Sequence, residues 1–249
     1  MPNHQSFYEE YWRERMALDR SQDTGKSRRI DLVCSRVAAG DTVLDFGCGI
    51  GDFTVPLLEA GALVSAADVS ERAVEMARKR TPAADFGVVV PGHDLPYGDE
   101  QFDCVVAMEV IEHVLDTHGL FQEFRRVLKP QGRLLLSCPY HGLVKNLLVS
   151  LLWFEEHFRP DHPHIRFYTV RSLRWLLHQH GFAVAELRRL GRMWPVYRTV
   201  FVEARKVDVG EGPRTDLTTG LVKRALSRLF GIMNGTGAGS SSSTPRPAP

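Results

Sequence analysis

Val43-Leu44-Asp45-Phe46-Gly47-Cys48-Gly49-Ile50-Gly51 is the stretch on which the fold turns. An apolar strand runs into glycines at alternate positions, and the residues up to Gly61 predict a helix with that glycine as its stop. Glycines let backbone approach a ligand closely at the carboxyl end of a strand, where open α/β sheets bind ligands. The spacing is GxGxG, not the GxGxxG that seats a pyrophosphate on a helix N-terminus. Asp45 precedes the first glycine, where a carboxylate could organise the loop and meet a cationic ligand. Asp68 ends the next predicted strand, at the ~20-residue distance from which an acid reaches ribose hydroxyls. Taken singly, each feature has a plainer reading: a dinucleotide turn for the glycines, a helix cap for Asp68 and a turn residue for Asp94.

Working outward, residues 6–38 read as helices, with Ser6 as an N-cap and Phe7, Tyr8, Tyr11 and Trp12 at helical spacing. Downstream of the glycines, ALVSAADVS reads as a strand and ERAVEMARKR as a helix that Ser70 can cap. A short strand near residues 86–90 leads to the turn-rich PGHDLPYGDEQ, and FDCVVAMEV is a buried type of strand. IEHVLDTHGLFQEFRRVLK reads as a single helix stopped by Pro130 and Gly132, and RLLLSCP as another buried strand. After an insertion at 140–166 come the helix RSLRWLLHQHG and two late strands, FAVAELRRL and WPVYRTVFVEARK. Alternating strands and helices followed by late antiparallel strands predict a doubly wound, mostly parallel sheet. The expected organisation is a helical lid at 1–40 and a binding domain at 41–207. A linker, an amphipathic helix at 217–233 and a disordered tail fill 208–249.

The 249 residues are 43% hydrophobic and 24% charged, with a formal net charge of +1. That balance gives no electrostatic footprint for nucleic acid. Four widely spaced cysteines without a CxxC pair, and an N-terminus lacking an apolar run, lead us to expect a cytoplasmic protein without a disulfide framework. The longest mainly apolar stretch, 147–154, is far below the ~20 residues of a membrane-spanning helix.

VLDFGCGIG resembles the first motif of the class I S-adenosylmethionine-dependent methyltransferases. Asp68 resembles their ribose-binding acid, and His93-Asp94-Leu95-Pro96 their adenine-holding segment. Phe102-Asp103-Cys104-Val105-Val106 is similar to their fourth strand, and Leu128-Lys129-Pro130-Gln131-Gly132 to their LKPGG turn, with Gln131 departing from the usual glycine. The resemblance runs from about Phe7 to about Lys206. It implies a seven-stranded Rossmann-like fold and S-adenosyl-L-methionine as cofactor. The implied cofactor contacts are Asp45, Gly47, Gly49, Gly51, Asp68, Val69, Asp94, Leu95, Met108 and Tyr11. FYEEYW resembles the aromatic N-terminal lid of related small-molecule methyltransferases, and reads equally as a helix with its aromatic face in the core.

Glu109-Val110-Ile111-Glu112-His113 follows the buried strand, and on a helix its i,i+3 and i,i+4 steps put both carboxylates and the imidazole on one face. That set suits metal ligation or proton transfer; an exposed first turn with glutamates favoured by the helix dipole is the plainer reading. The segment resembles those of the ubiquinone-biosynthesis O-methyltransferases and of the small-RNA 3′-end methyltransferases, families associated with a divalent cation such as magnesium. The resemblance implies Glu109, Glu112 and His113 as ligands, with His164 to complete the site and His141 or His157 as weaker candidates. Without a metal, His113 and Glu109 are the expected catalytic pair, the imidazole removing a hydroxyl proton.

In LVKNLLVSLLWF, residues 143–154, the insertion carries an apolar run that can wall a pocket, dock on a membrane surface or pack on the sheet. The helix at 217–233 suits an interface with a membrane, a dimer contact or packing on its own domain. The expected activity is O-methylation of a lipophilic or aromatic small molecule by a monomer or homodimer. RNA 2′-O-methylation and a non-catalytic cofactor-binding role stand as alternatives.

Overall fold

In a computed structural model the structure describes residues 4–17, 24–157, 159 and 164–207. The expected linker, amphipathic helix and tail at 208–249 lie outside the described residues, as does part of the lid. Two helices, α1 (His4–Ala17) and α2 (Thr24–Cys34), precede β1 (Thr42–Phe46). Next come α3 (Thr54–Glu59), β2 (Leu63–Asp68), α4 (Glu71–Arg80), β3 (Asp85–Val88) and β4 (Phe102–Met108). A 3-10 turn, Ile111–His113, leads to α5 (Thr117–Val127) and β5 (Leu128–Pro139). The insertion forms α6 (Leu143–Leu152) and α7 (Phe154–His157), followed by α8 (Val170–Gln179), β6 (Phe182–Leu190) and β7 (Thr199–Lys206).

The strands form one seven-stranded sheet in the order β3-β2-β1-β4-β5-β7-β6. It is parallel except for β7, which runs antiparallel to both β5 and β6. Strand periodicity divides its core between two faces. Leu44, Val105, Leu134 and Leu136 pack with Phe121, Phe124, Leu173 and Leu177 of α5 and α8. The alternate residues Val43, Cys104, Val106 and Leu135 pack with Val33 of α2 and Leu57 of α3. Burial on both faces explains why the central strands read as near-continuous apolar runs. The chain winds outward from β1 through β2 to β3 and returns to β4, so a topological switch point opens between β1 and β4.

Local signals were met at Ser70, whose hydroxyl accepts from the Ala73 amide at 3.2 Å, and at Gly61, with φ of +85° beyond the end of α3. Three expectations are corrected. Ser6 lies inside α1, which starts at His4, and so does not cap it. The insertion's α6 buries no residue: Leu143, Leu147 and Leu151 are 84%, 57% and 71% exposed, so it does not pack on the sheet. The predicted single helix from Ile111 breaks into the 3-10 turn and α5, because Asp116 caps a new start through the Gly119 amide at 2.9 Å.

The segment Lys129 to Gly132 forms an irregularity within β5, where the register with β4 shifts. Gln131 adopts φ of +62°, left-handed backbone that a side chain occupies at a cost of about 1–2 kcal/mol. Gln131→Gly removes that cost but loosens the unfolded chain by about 0.5–1 kcal/mol. We expect a net gain of about 0.5–1 kcal/mol, read as a higher urea midpoint at unchanged slope.

Candidate active site

At the end of β1 the chain bends upward through three glycines in left-handed conformation, with φ of +73° at Gly47, +53° at Gly49 and +85° at Gly51. The amides of Gly47 and Cys48 both donate to the Ala67 carbonyl, at 2.7 and 3.0 Å, fixing the bend to β2. Side chains are excluded here by space as well as by φ. A Cβ on Gly47 would lie 2.4 Å from Cγ2 of Val110, and one on Gly49 2.8 Å from Cζ2 of Trp12.

Asp68 closes the arrangement from the end of β2. Its Oδ2 accepts the Gly49 amide at 2.9 Å and its Oδ1 the Ser70 amide at 3.0 Å, while the residue is 7% exposed. Burial pushes its pKa up, and the amides of Ser70 and Gly49 pull against that push. The carboxylate thus joins the glycine loop to the cap of α4 while still lining a cleft with Val69.

That cleft has a volume of about 1440 Å³ and runs over the switch point. A single drug-sized ligand occupies a pocket of about 300–1,000 Å³, so a cofactor and an acceptor fit together. Gly47, Gly49, Asp68, Val69, Asp94, Leu95, Met108 and Tyr11 line it, as do Glu109, His113 and His164. Leu95 is fixed from α5, where Glu123 accepts the Leu95 amide at 2.7 Å and Arg126 donates to the Leu95 carbonyl at 3.1 Å.

Asp45 and Gly51 stand behind the lining. Asp45 is 2% exposed and accepts the Thr54 hydroxyl at 2.6 Å, tying the loop to α3, so it organises the turn and does not face the cleft. Burial raises its pKa to about 7, with the Thr54 hydrogen bond opposing and Asp68 adding. An acid raised in the folded state contributes most below its unfolded value of 3.8 and loses that contribution as pH rises through about 7. Asp45→Asn does not ionise. Its stability relative to the wild type should therefore rise by roughly 2–3 kcal/mol between pH 5 and pH 8, measured by urea unfolding at both.

Aromatic side chains of α1 cover the loop. Tyr8, Tyr11 and Trp12 line the cleft, linked edge to face with ring centroids 6.0 Å apart for Tyr8 and Tyr11 and 5.5 Å for Tyr11 and Trp12. Tyr8 reaches the His113 ring at 5.9 Å. The aromatic face of the first helix is thus turned to the cleft.

Glu109 has φ of +58°, so the chain reverses immediately after β4 and no α-helix carries the Glu109–His113 segment. The shared helical face expected of Glu109, Glu112 and His113 is therefore absent. Glu109 accepts the Ser137 hydroxyl at 2.7 Å, whereas Glu112, His113 and His164 bring ligand atoms within 4.8 Å of one another. Glu112 is 1% exposed, and neither of its carboxylate oxygens has a hydrogen-bond partner among the described residues. Its Oε1 is 3.8 Å from Nε2 of His113. Burial, then the charge of Glu109, raises its pKa well above the usual range. The His113 and His164 rings lie 4.9 Å apart. Backbone amides of Ile165 and Arg166 donate to the Glu112 carbonyl at 3.0 and 3.1 Å, which draws His164 in from the end of the insertion.

His141 and His157 also line the cleft, with ring centroids 6.2 Å apart, but on the insertion side. Burial, then Lys145, lowers the His141 pKa to about 4, so this ring is neutral at pH 7. Residues that sequence reasoning passed over include Lys145, Arg192 and Arg198, which line the cleft beyond β5. The one signal was Lys145 itself, the sole charge in an apolar run of twelve.

A Rossmann-like seven-stranded sheet with its cleft at the switch point is the methyltransferase architecture. A methyltransferase domain family matches residues 8–187, and the chain belongs to that family. It is 35% identical over 136 residues to methyltransferase GfsG of Streptomyces halstedii, covering 51% of this chain and 48% of that protein. It is 33% identical over 196 residues to the demethylmenaquinone methyltransferase of Tropheryma whipplei strain Twist, covering 72% and 82% respectively. The chain spans about half the length of the first of these curated relatives. Among solved structures, magnesium protoporphyrin IX methyltransferase from Synechocystis PCC 6803 with bound SAH superposes with a TM-score of 0.64. Identity there is 20%, and the match covers 81% of this chain and 97% of that one, so the likeness is of fold.

Proposed function

We propose that this chain transfers a methyl group from S-adenosyl-L-methionine to an oxygen of a lipophilic or aromatic small molecule. The observation that carries the proposal is the glycine loop bonded to Asp68 under Trp12, at one end of a cleft that also holds His113. Gly47, Gly49, Asp68 and Val69 would seat the donor, Asp94 and Leu95 its adenine, and Met108 and Tyr11 its sulfonium side. Methyl transfer is an in-line displacement, so the enzyme must align donor and hydroxyl and take the hydroxyl proton. His113, which lines the cleft, is the group we assign to that proton. The aromatic face of α1 would exclude water from the sulfonium. Calorimetry with S-adenosylhomocysteine, then a panel of phenols and quinols scored by release of that product, tests the reading. Heat with NAD and none with S-adenosylhomocysteine would end it.

The orphaned Glu112 carboxylate beside two imidazoles also fits a divalent cation, held by Glu112, His113 and His164, with Glu109 left to Ser137. Ligand atoms about 2.1 Å from one ion are at most about 4.2 Å apart, so the three side chains would draw together slightly on binding. Two nitrogen donors favour zinc, cobalt or iron over magnesium. Bound there, such an ion would lower the pKa of an acceptor hydroxyl. We expect Co²⁺ to give a visible absorption band at one equivalent, and Glu112→Gln to weaken its binding at least about tenfold. A flat spectrum in the wild type would remove the cation.

A further inference from the structure

The donor end of the cleft is built from β1 and β2, and its other end from the insertion after β5 and from the turn between β6 and β7. The second end has a distinct lining. Leu148, Val149, Leu152 and Trp153 supply one apolar wall from the insertion. The same end holds three cations, Lys145 from α6 itself and Arg192 and Arg198 from the turn between β6 and β7. Arg198 is held over the turn by main-chain pairing, its amide donating to the Leu190 carbonyl at 3.0 Å and its own carbonyl accepting the Tyr140 amide at 2.9 Å. The Tyr140 carbonyl, just past the end of β5, accepts the Lys145 ammonium at 2.7 Å. Two strand ends thus bring both charges to one rim. Neither Arg192 nor Arg198 forms an ion pair among the described residues. Burial lowers the Lys145 pKa, with the charge of Glu109 opposing and that of Arg198 adding to the shift.

Three cations at one end of a cleft, of which Arg192 and Arg198 have no ion-pair partner among the described residues, next to an apolar wall, are the complement of an amphipathic anion. We propose that the acceptor carries a carboxylate, read by Lys145, Arg192 and Arg198, on an apolar body lying along Leu148, Val149, Leu152 and Trp153. The inference rests on the methyltransferase reading proposed above, places the acceptor at the end of the cleft away from the glycine loop, and narrows the substrate class from lipophilic to lipophilic and acidic. Arginine recognises a carboxylate through paired N–H donors, and an ammonium adds a point charge, so removing the charge from the ligand forfeits both.

The test compares 11-(dansylamino)undecanoate with its uncharged methyl ester, following dansyl emission on the protein with S-adenosylhomocysteine present and with it absent. The carboxylate should bind at least about tenfold tighter than the ester, and the preference should fall to about threefold or less in Lys145→Met/Arg198→Gln. Arg192→Gln alone, at an exposed site, should reduce it in part. Leu152→Gln should weaken acid and ester alike, since it touches the apolar wall only. Equal binding of acid and ester by the wild type, or a preference surviving in the double variant, overturns the proposal. Absence of heat with S-adenosylhomocysteine is a separate result: it removes the methyltransferase reading while the dansyl titration still reports on the cation cluster.

Discussion

Gly49→Val should leave no measurable heat on titration with S-adenosylhomocysteine, a loss of at least about a hundredfold, or ~2.7 kcal/mol. Three effects converge on this one atom. At φ of +53° a β-branched side chain is strained by about 1–3 kcal/mol, so the backbone will relax away from its left-handed position. Relaxation breaks the 2.9 Å bond from the Gly49 amide to Asp68, which holds the loop against β2. The new Cβ also enters the ring of Trp12, at 2.8 Å from Cζ2 and 2.9 Å from Cη2, and must lift α1 from the cleft. A double-mutant cycle separates these causes. Gly49→Ala made in a Trp12→Ala background meets no ring, so its further loss there reports backbone strain and the Asp68 bond alone. Far-UV circular dichroism close to the wild type is expected throughout, because the two faces of the sheet core lie elsewhere. Undiminished heat from Gly49→Val would remove the cofactor assignment at its root.

The same loop shows how far sequence carries. Its glycines, Asp68 and the cap at Ser70 were legible because each depends on chemistry local to a few residues: positive φ, a strand end, a hydroxyl three residues before an amide. The parallel order was legible because strands buried on both faces leave continuous apolar runs. The segment from Glu109 to His113 misled for the opposite reason. Its spacing satisfies helical periodicity, but the conformation is set by distant groups: Ser137 holds the Glu109 carboxylate, and the Ile165 and Arg166 amides hold the Glu112 carbonyl. Glutamate at φ of +58° has no sequence signature as glycine has. Asp45 was half legible: its place before the glycines marked it as organising the loop, but its bond to Thr54, nine residues on, and the burial that keeps it behind the lining were not. The cationic rim was invisible because Lys145 and Arg198 are 53 positions apart and meet only through the antiparallel pairing of β5 with β7.

Replacing His113 by alanine should lower kcat by about 10²–10⁴-fold, the range for losing a general base, while S-adenosylhomocysteine binding changes little. The two quantities separate because the imidazole belongs to the 3-10 turn after β4 and takes no part in the bonds that close the glycine loop on Asp68. A merely structural histidine would instead weaken both. His113→Ala alone leaves open whether the imidazole takes the proton itself or ligates a cation, so Glu112→Gln is its necessary companion. Glutamine keeps the shape at a site that is 1% exposed and removes the ionisable group whose pKa burial raises. If a cation is held by Glu112, His113 and His164, both variants lose the Co²⁺ band and both lose turnover. Turnover near the wild-type value in Glu112→Gln, beside a large loss in His113→Ala, assigns the proton to the imidazole with no metal. A kcat within about threefold of wild type in His113→Ala, small against the 10²–10⁴ expected of a base, would remove His113 from the chemistry by either route.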